Sequence, residues 1–272
     1  MDACIRFERV TKRYGTYTAL QDFSLTVEQG EFLTIIGRSG CGKTTILRAI
    51  GGFHDVTSGD ITIDGQSIVG LPPEKRPTNG LLTPDEGQVF VSGKNVAETD
   101  LIALRRGIGY VIQGVGLFPH MTVAKNIAYV PSLSKSWTKD EAAAQVAQLL
   151  QVVGLDPALA SRYPRELSGG QQQRVGIARA LAGEARILLM DEPFGAVDEI
   201  TRRSLQKEIS RLQKELGITV IFVTHDIKEA LCLGSRVLVM EMGRIAQLDT
   251  PTQIKAHPAD DFVRELITGQ EG

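Results

Sequence analysis

Only three cysteines occur in this chain of 272 residues. Cys4, Cys41 and Cys232 are scattered, with no metal-ligand spacing, which argues against a disulfide scaffold or a thiolate metal site and fits reduced thiols in the cytosol. A surplus of either charge is also missing: 30 basic and 32 acidic side chains give a formal net charge of -2, so there is no basic footprint for nucleic acid. No apolar run approaches the roughly 18 to 20 residues of a membrane span, and the opening MDACIRFERV has no signal-peptide core. Any link to a membrane is therefore expected to run through a protein partner. No N-K-x-D guanine-reading motif is present. The rest, 42% apolar and 23% charged, suffices to bury a full core.

Residues 37–44 read GRSGCGKT and fit G-x-x-x-x-G-K-[ST]. An apolar strand, 32–36, precedes them and a helix from Lys43 to Ile50 follows. The free amides and positive dipole end of such a helix attract phosphate, and Gly40 and Gly42 let the backbone curl around it. Gly37, Arg38, Ser39, Gly40, Cys41, Gly42, Lys43, Thr44 and Thr45 are thus expected to bind a nucleoside triphosphate. Lys43 would be the cation for the terminal phosphates and the Thr44 hydroxyl a magnesium ligand. Of the three thiols only Cys41, inside this loop, has functional potential.

A second apolar run, Ile187, Leu188, Leu189 and Met190, delivers two acids, Asp191 and Glu192. Such a run suits a parallel strand covered on both faces, and ligands collect at the carboxyl ends of those strands. Asp191 reads as an acid supporting magnesium, and Glu192 as a base for an attacking water.

Residues 167–174 read LSGGQQQR. Ser168, Gly169 and Gly170 precede a helix expected from about Gln171 to Ala182, so they offer a hydroxyl and bare amides at a second positive dipole end. With the phosphate loop and the Asp191–Glu192 pair, this run resembles the ATPase subunits of ABC transporters. The resemblance implies that Glu192 polarises the water and that Gln113, ending the strand 108–112, touches magnesium and water while sensing the membrane partner. It implies that His225, ending the strand 218–224, contacts the γ-phosphate. Tyr14 in KRYG matches the aromatic on which adenine stacks, with Tyr17 able to do the same, and Asp198 in FGAVD matches the D-loop aspartate. Ser168, Gly169, Gly170 and Gln171 would serve the ATP of a second subunit, packed head to tail as a homodimer or with a close paralogue. The implied cofactors are ATP and Mg2+. The implied partners are transmembrane permease subunits and, indirectly, an extracytoplasmic solute-binding protein, at the cytoplasmic face of the membrane. An ABC-type ATPase acting on DNA or ribosomes would be expected to carry a coiled-coil insertion, a second ATPase domain or a basic arm, and none is present.

The expected fold is α/β, a P-loop NTPase core of ABC ATPase type with an antiparallel β subdomain and a helical subdomain. Residues 5–27 alternate apolar and polar as antiparallel strands do, whereas later strands are solid apolar runs. No strand is expected from Phe118 to Ala182, where Thr138 and Glu141 form a capping box opening a helix that Gly154 closes. After Asp198 a helix with Leu205, Ile209, Leu212 and Leu216 on one face runs to Gly217. A last hairpin turns at Met242–Gly243. The ATP-binding domain is placed at 5–245, its helical part at about 118–182, and a helical tail at 246–272. A further C-terminal regulatory module is not expected.

One stretch repeats at an offset of 28: Gly52, Gly59 and Gly65 recur as Gly80, Gly87 and Gly93, and Ile61, Ile63 and Ile68 recur as Val89, Val91 and Val96. A hairpin segment is thus expected twice, at 51–78 and 79–106, where the family has one. The first copy resembles polyamine, iron or oxyanion importer ATPases. The second copy, with the sequence up to LSGGQQQR, resembles quaternary-amine osmoprotectant importers, and the join falls near Asn79. Glycine betaine or choline is the expected solute.

Overall fold

The computed structural model describes residues 3–50, 58–63, 66–67, 90–91, 94–95, 108–111, 116–183, 185–195 and 197–269. They fall into two compact units, Met1–Arg105 with Thr219–Gly272, and Arg106–Ile218.

In the first unit β1 (Ala3–Tyr14) and β2 (Tyr17–Glu28) form an antiparallel pair. The alternation seen in the sequence buries Phe23, Leu25 and Val27, and Phe7 meets Phe23 edge to face at 5.3 Å. Next come β3 (Phe32–Gly37) and β4 (Ser58–Ile63). β4 lies antiparallel on the other edge of β1, and β5 (Gln66–Ser67) pairs with β4, giving the order β2-β1-β4-β5. A separate two-stranded sheet joins β6 (Phe90–Val91) to β7 (Lys94–Asn95).

β3 belongs to another sheet of the same unit. It runs parallel to β10 (Thr219–Val223) on one side and β11 (Arg236–Glu241) on the other. β12 (Arg244–Asp249) returns antiparallel to β11 after the turn at Met242–Gly243. β10 and most of β3 are buried at every position, as strands covered on both faces are. Helix α1 (Lys43–Ile50) leaves the phosphate loop, and α7 (Ile227–Leu233), α8 (Pro251–Ala256) and α9 (Asp261–Thr268) follow later in the chain. Ile254 of α8 and Val263 of α9 pack into a buried cluster with Ile36, Ala230, Val237 and Val239. The tail therefore differs from the expectation of helix from 246 onward, because β12 continues to Asp249, held by Val237↔Asp249 and Leu238↔Leu248 pairing.

An ion pair between buried Glu31 and half-buried Arg236 joins distant parts of this unit's sequence. The Arg236 guanidinium donates to Glu31 Oε1 at 2.7 Å and Oε2 at 2.8 Å and to the Thr26 carbonyl at 2.7 Å, while the Glu28 amide donates to Glu31. The Glu31 side chain is 5% exposed. Removing one member of such a pair strands the other, so Glu31→Ala is expected to cost about 2 kcal/mol, read from the urea midpoint at unchanged m-value. An unchanged midpoint would contradict this role.

In the second unit β8 (Ile108–Val111) and β9 (Ile187–Asp191) run parallel. Between them in sequence lie α2 (Val123–Ile127), α3 (Tyr129–Ser134), α4 (Lys139–Val152), two short 3-10 turns and α5 (Gly169–Ala182), with no strand among the described residues of this stretch. Asn126 is fully buried and satisfied: it accepts from the Phe118 amide at 2.8 Å and donates to the Phe118, Met121 and Thr122 carbonyls at 3.1 Å. α4 opens with the Thr138–Glu141 capping box, and Gly154 follows its end at φ 65°. After β9, α6 (Glu199–Leu216) runs from an Asp198 cap to left-handed Gly217. Leu205 and Ile209 are buried, but Leu216, expected on the same face, is 64% exposed in the last turn, and Gln213 is buried instead.

Candidate ATP site

β3 delivers the chain to the phosphate loop at Gly37, and α1 takes it away at Lys43. The loop closes on its own cation: Lys43 Nζ donates to the Gly37 carbonyl at 2.7 Å and the Arg38 carbonyl at 3.0 Å, and lies 3.7 Å from Cys41 Sγ. Lys43 and Cys41 are both buried. Two glycines are required by packing. A Cβ on Gly37 would stand 2.3 Å from the Met240 carbonyl oxygen, and one on Gly42 (φ 105°) 2.3 Å from that of Ala19. Behind the loop, the Gly243 amide donates to the Cys41 carbonyl at 3.1 Å and the Gln21 amide to the Gly243 carbonyl at 3.0 Å, so the β11–β12 turn pins it.

Other expected residues of this unit gather at the same end of β3. Val223 pairs with Ile35 and the Thr224 amide donates to the Ile35 carbonyl, which brings exposed His225 to the end of β3 from which the loop departs. Asp226, next in sequence, caps α7 by accepting from the Lys228 and Glu229 amides. Tyr14 and Tyr17 face each other across the β1–β2 turn. Lys12 Nζ sits 5.0 Å from the centre of the Tyr14 ring, whereas the Tyr17 hydroxyl donates to the Gly40 carbonyl. Arg38 points away toward α9, its guanidinium 5.4 Å from the Phe262 ring centre.

In the second unit, Asp191 is buried at the carboxyl end of β9 and Glu192 is half-buried. Glu192 takes φ 47°, a left-handed conformation costly for a residue with a Cβ, of the kind that gathers at functional sites. Its carbonyl is held twice, by the Gln173 side chain at 3.1 Å and the Gly195 amide at 3.3 Å. Gln173 sits on α5, whose N-terminus is capped by Ser168. The Ser168 hydroxyl accepts from the Gln171 amide at 3.3 Å and the Gln171 side chain accepts from the Ser168 amide at 2.9 Å. This reciprocal cap starts the helix at Gly169, earlier than the expected Gln171, and leaves Gly169 and Gly170 in its first turn.

Asp198 accepts from the Thr201 amide at 3.0 Å. That bond, with the Arg174 charge as a lesser cause, holds its carboxyl below the usual aspartate range. The cap thus contributes stability above the unfolded aspartate pKa and loses it as pH falls through the lowered value. Gln113 lies outside the described residues.

Gln173 and Tyr17's contact to Gly40 are the positioning groups that sequence reading passed over. Gln173 was in view within LSGGQQQR, but nothing local says that its amide reaches across to residue 192. Gln173→Leu is expected to lower turnover about threefold to tenfold with an unchanged KM for ATP, because it frees the Glu192 turn without touching the phosphate loop. Steady-state phosphate release measures both constants, and an unchanged kcat would show the contact to be structural only.

A phosphate loop between a parallel strand and a helix, an acid pair ending another parallel strand, and a second capped helix N-terminus define an α/β P-loop protein. The ABC transporter family profile matches residues 20–79 and 76–195, and the chain belongs to that family. It is 46% identical over 264 residues to the carnitine transport ATP-binding protein OpuCA of Listeria monocytogenes, covering 97% of this chain and 59% of that protein. To the glycine betaine/carnitine/choline transport ATP-binding protein OpuCA of Bacillus subtilis it is 44% identical over 264 residues, covering 97% and 62%. To the spermidine/putrescine import ATP-binding protein PotA of Chromobacterium violaceum it is 43% identical over 265 residues, covering 97% and 64%. The chain thus spans about three fifths of the length of these relatives. Among solved structures, the ATP-binding cassette MJ0796, a dimer in a post-hydrolysis state bound to ADP and Pi, superposes with a TM-score of 0.73 at 30% identity, covering 91% of this chain and 98% of that one.

Proposed function

We propose that this chain hydrolyses ATP as the nucleotide-binding subunit of a membrane ABC importer. The observation that carries the reading is α5, which presents the Ser168-capped N-terminus and also holds the Glu192 carbonyl through Gln173. One helix thereby links a phosphate cradle to the proposed base.

In this reading the loop amides of residues 37–45 and the Lys43 ammonium bind the terminal phosphates, Lys43 exchanging the Gly37 and Arg38 carbonyls for phosphate oxygens. Tyr14 stacks on adenine. Glu192 takes the proton of the attacking water, whose oxygen forms the new bond to the γ-phosphorus as the bond to the ADP oxygen breaks. His225 contacts the γ-phosphate. Thr44, Asp191 and Gln113 offer only hard oxygen donors, which suit Mg2+, and the ion when bound with the triphosphate supplies neutralisation of phosphate charge. Ser168, Gly169, Gly170 and Gln171 serve the ATP bound to a second subunit, a copy of this chain or a close paralogue, and Asp198 links the two sites. The MJ0796 cassette, itself dimeric, supports this arrangement.

The membrane connection would be through permease subunits at the cytoplasmic face, with a solute-binding protein reached indirectly. No helix among the described residues is long and apolar enough to cross a membrane. The proposed solute is a quaternary amine such as glycine betaine or choline, supported by the resemblance of the permease-facing stretch after Gln113 and by the names of the two OpuCA relatives. A polyamine is the second reading, supported by the first hairpin copy and by the PotA relative. Segments 51–78 and 79–106 are proposed as copies of one hairpin. That the family profile matches in two pieces overlapping only at 76–79 supports this.

The test is co-expression with the adjacent permease genes in cells lacking betaine and polyamine uptake. Labelled glycine betaine is expected to accumulate and the subunit to co-purify with the permease. Uptake of spermidine alone would overturn the solute, and failure to co-purify or support any uptake would overturn the importer.

A further inference from the structure

Glu229 on α7 is a buried acid to which the chemistry above gives no part. A carboxylate taken out of water is costly unless donors meet it, so its place there calls for a reason. Its Oε2 accepts from the Thr224 hydroxyl at 2.7 Å. The Thr224 oxygen in turn accepts from the Asp226 amide at 3.0 Å, and its single proton goes to Glu229. The Asp226 carboxylate accepts from the Lys228 amide at 2.8 Å and from the Glu229 amide at 3.2 Å. A closed ring of hydrogen bonds thus runs from Thr224 to Asp226 to Glu229 and back to Thr224.

His225 is spanned by this ring. Both of its chain neighbours belong to the ring, Thr224 is buried, and His225 itself is exposed. The ring is also anchored to the strand that leads into the phosphate loop. The Thr224 amide donates to the Ile35 carbonyl at 3.2 Å, and Thr34 Oγ1 donates at 3.1 Å to the carbonyl of Ala230, the residue after Glu229. A Cβ on Gly234, just past the end of α7, would stand 2.5 Å from Thr34 Oγ1, so the helix end lies close against β3.

We propose that Glu229, acting through the Thr224 hydroxyl, is a positioning residue that fixes the backbone on both sides of His225 and so sets the imidazole for the transition state. This rests on the reading of His225 as the contact to the γ-phosphate. A misplacement of about 1 Å at a reacting group can cost on the order of 100-fold in rate, so loosening this turn is expected to show in turnover before it shows in nucleotide binding.

The experiment measures steady-state phosphate release by the full chain. Thr224→Val keeps the side-chain shape and removes the hydroxyl, and Glu229→Leu keeps most of the volume and removes the acceptor. Each is expected to lower kcat about tenfold with KM for ATP within about twofold of wild type. Thr224→Ser returns a hydroxyl while losing the methyl group, and should recover most of the turnover lost in Thr224→Val. If Ser is as slow as Val, packing and not the hydroxyl matters, and the proposal is overturned.

A double-mutant cycle reads the coupling to His225 directly. His225→Ala alone is expected to lower kcat about 100-fold, and Thr224→Val added to it should lower kcat no further. Losses that multiply would mean that the two residues act independently, and would overturn the positioning role. Near-wild-type turnover in Thr224→Val and Glu229→Leu, beside a slow His225→Ala, would overturn it too while leaving His225 in its place. Wild-type turnover in His225→Ala would instead remove the reading on which the proposal rests. Amide hydrogen exchange over residues 224–230, followed by mass spectrometry, tests the ring without relying on turnover. It is expected to quicken in Thr224→Val and Glu229→Leu and to stay slow in Thr224→Ser, and exchange unchanged in all three would overturn the ring as the device that holds the turn.

Discussion

Glu192→Gln is expected to lower ATP turnover by about 100- to 10,000-fold, the usual contribution of a positioned general base, while leaving ATP affinity intact. The substitution keeps the side-chain volume and the left-handed turn at residue 192, and it leaves Gln173 and the Gly195 amide on the carbonyl. What it removes is the carboxylate proposed to accept the proton of the attacking water. Nucleotide is then bound and not consumed, so a long-lived ATP-bound dimer should appear on gel filtration. Phosphate release and a nucleotide titration measure the two effects separately, and turnover near wild type would remove Glu192 from the role of base.

Lys43→Ala should show the opposite split. Loss of a charged hydrogen-bond donor to phosphate costs about 3 kcal/mol, or about 100-fold in ATP affinity. It also unties the loop from within, because the same ammonium holds the Gly37 and Arg38 carbonyls before nucleotide arrives. The nucleotide-free protein should therefore melt slightly lower than wild type as well. Titration with a fluorescent ATP analogue and a thermal melt read both effects, and wild-type affinity would overturn the assignment of this loop as the phosphate site.

The limits of α1 at Lys43 and Ile50, the cap pair of α4 at Thr138 and Glu141, and the ends of α6 at Asp198 and Gly217 were legible because their causes are local. A cap needs partners three residues away, a left-handed glycine needs only its own missing Cβ, and a buried strand shows itself as an apolar run. The phosphate loop, the acid pair and the signature were legible for the same reason, since each is a short stretch whose backbone chemistry lies within itself.

The tail was less legible. β12 carries no apolar run, and its continuation to Asp249 is held by pairing with β11. Buried Asn126, reading as a surface residue by type, is buried because four backbone groups of residues 118–122 converge on its amide.

The sequence by itself determined the family, the phosphate loop, the acid pair, the two capped helix starts and the repeat at an offset of 28, all of them relations between near neighbours or between matching stretches. Tertiary structure alone decided which tyrosine touches the loop, which glutamine holds the Glu192 carbonyl, and that the Met242–Gly243 turn pins the loop from behind. The physical reason is that these contacts join residues distant in sequence, where partners of equal chemistry compete and only packing and register choose between them.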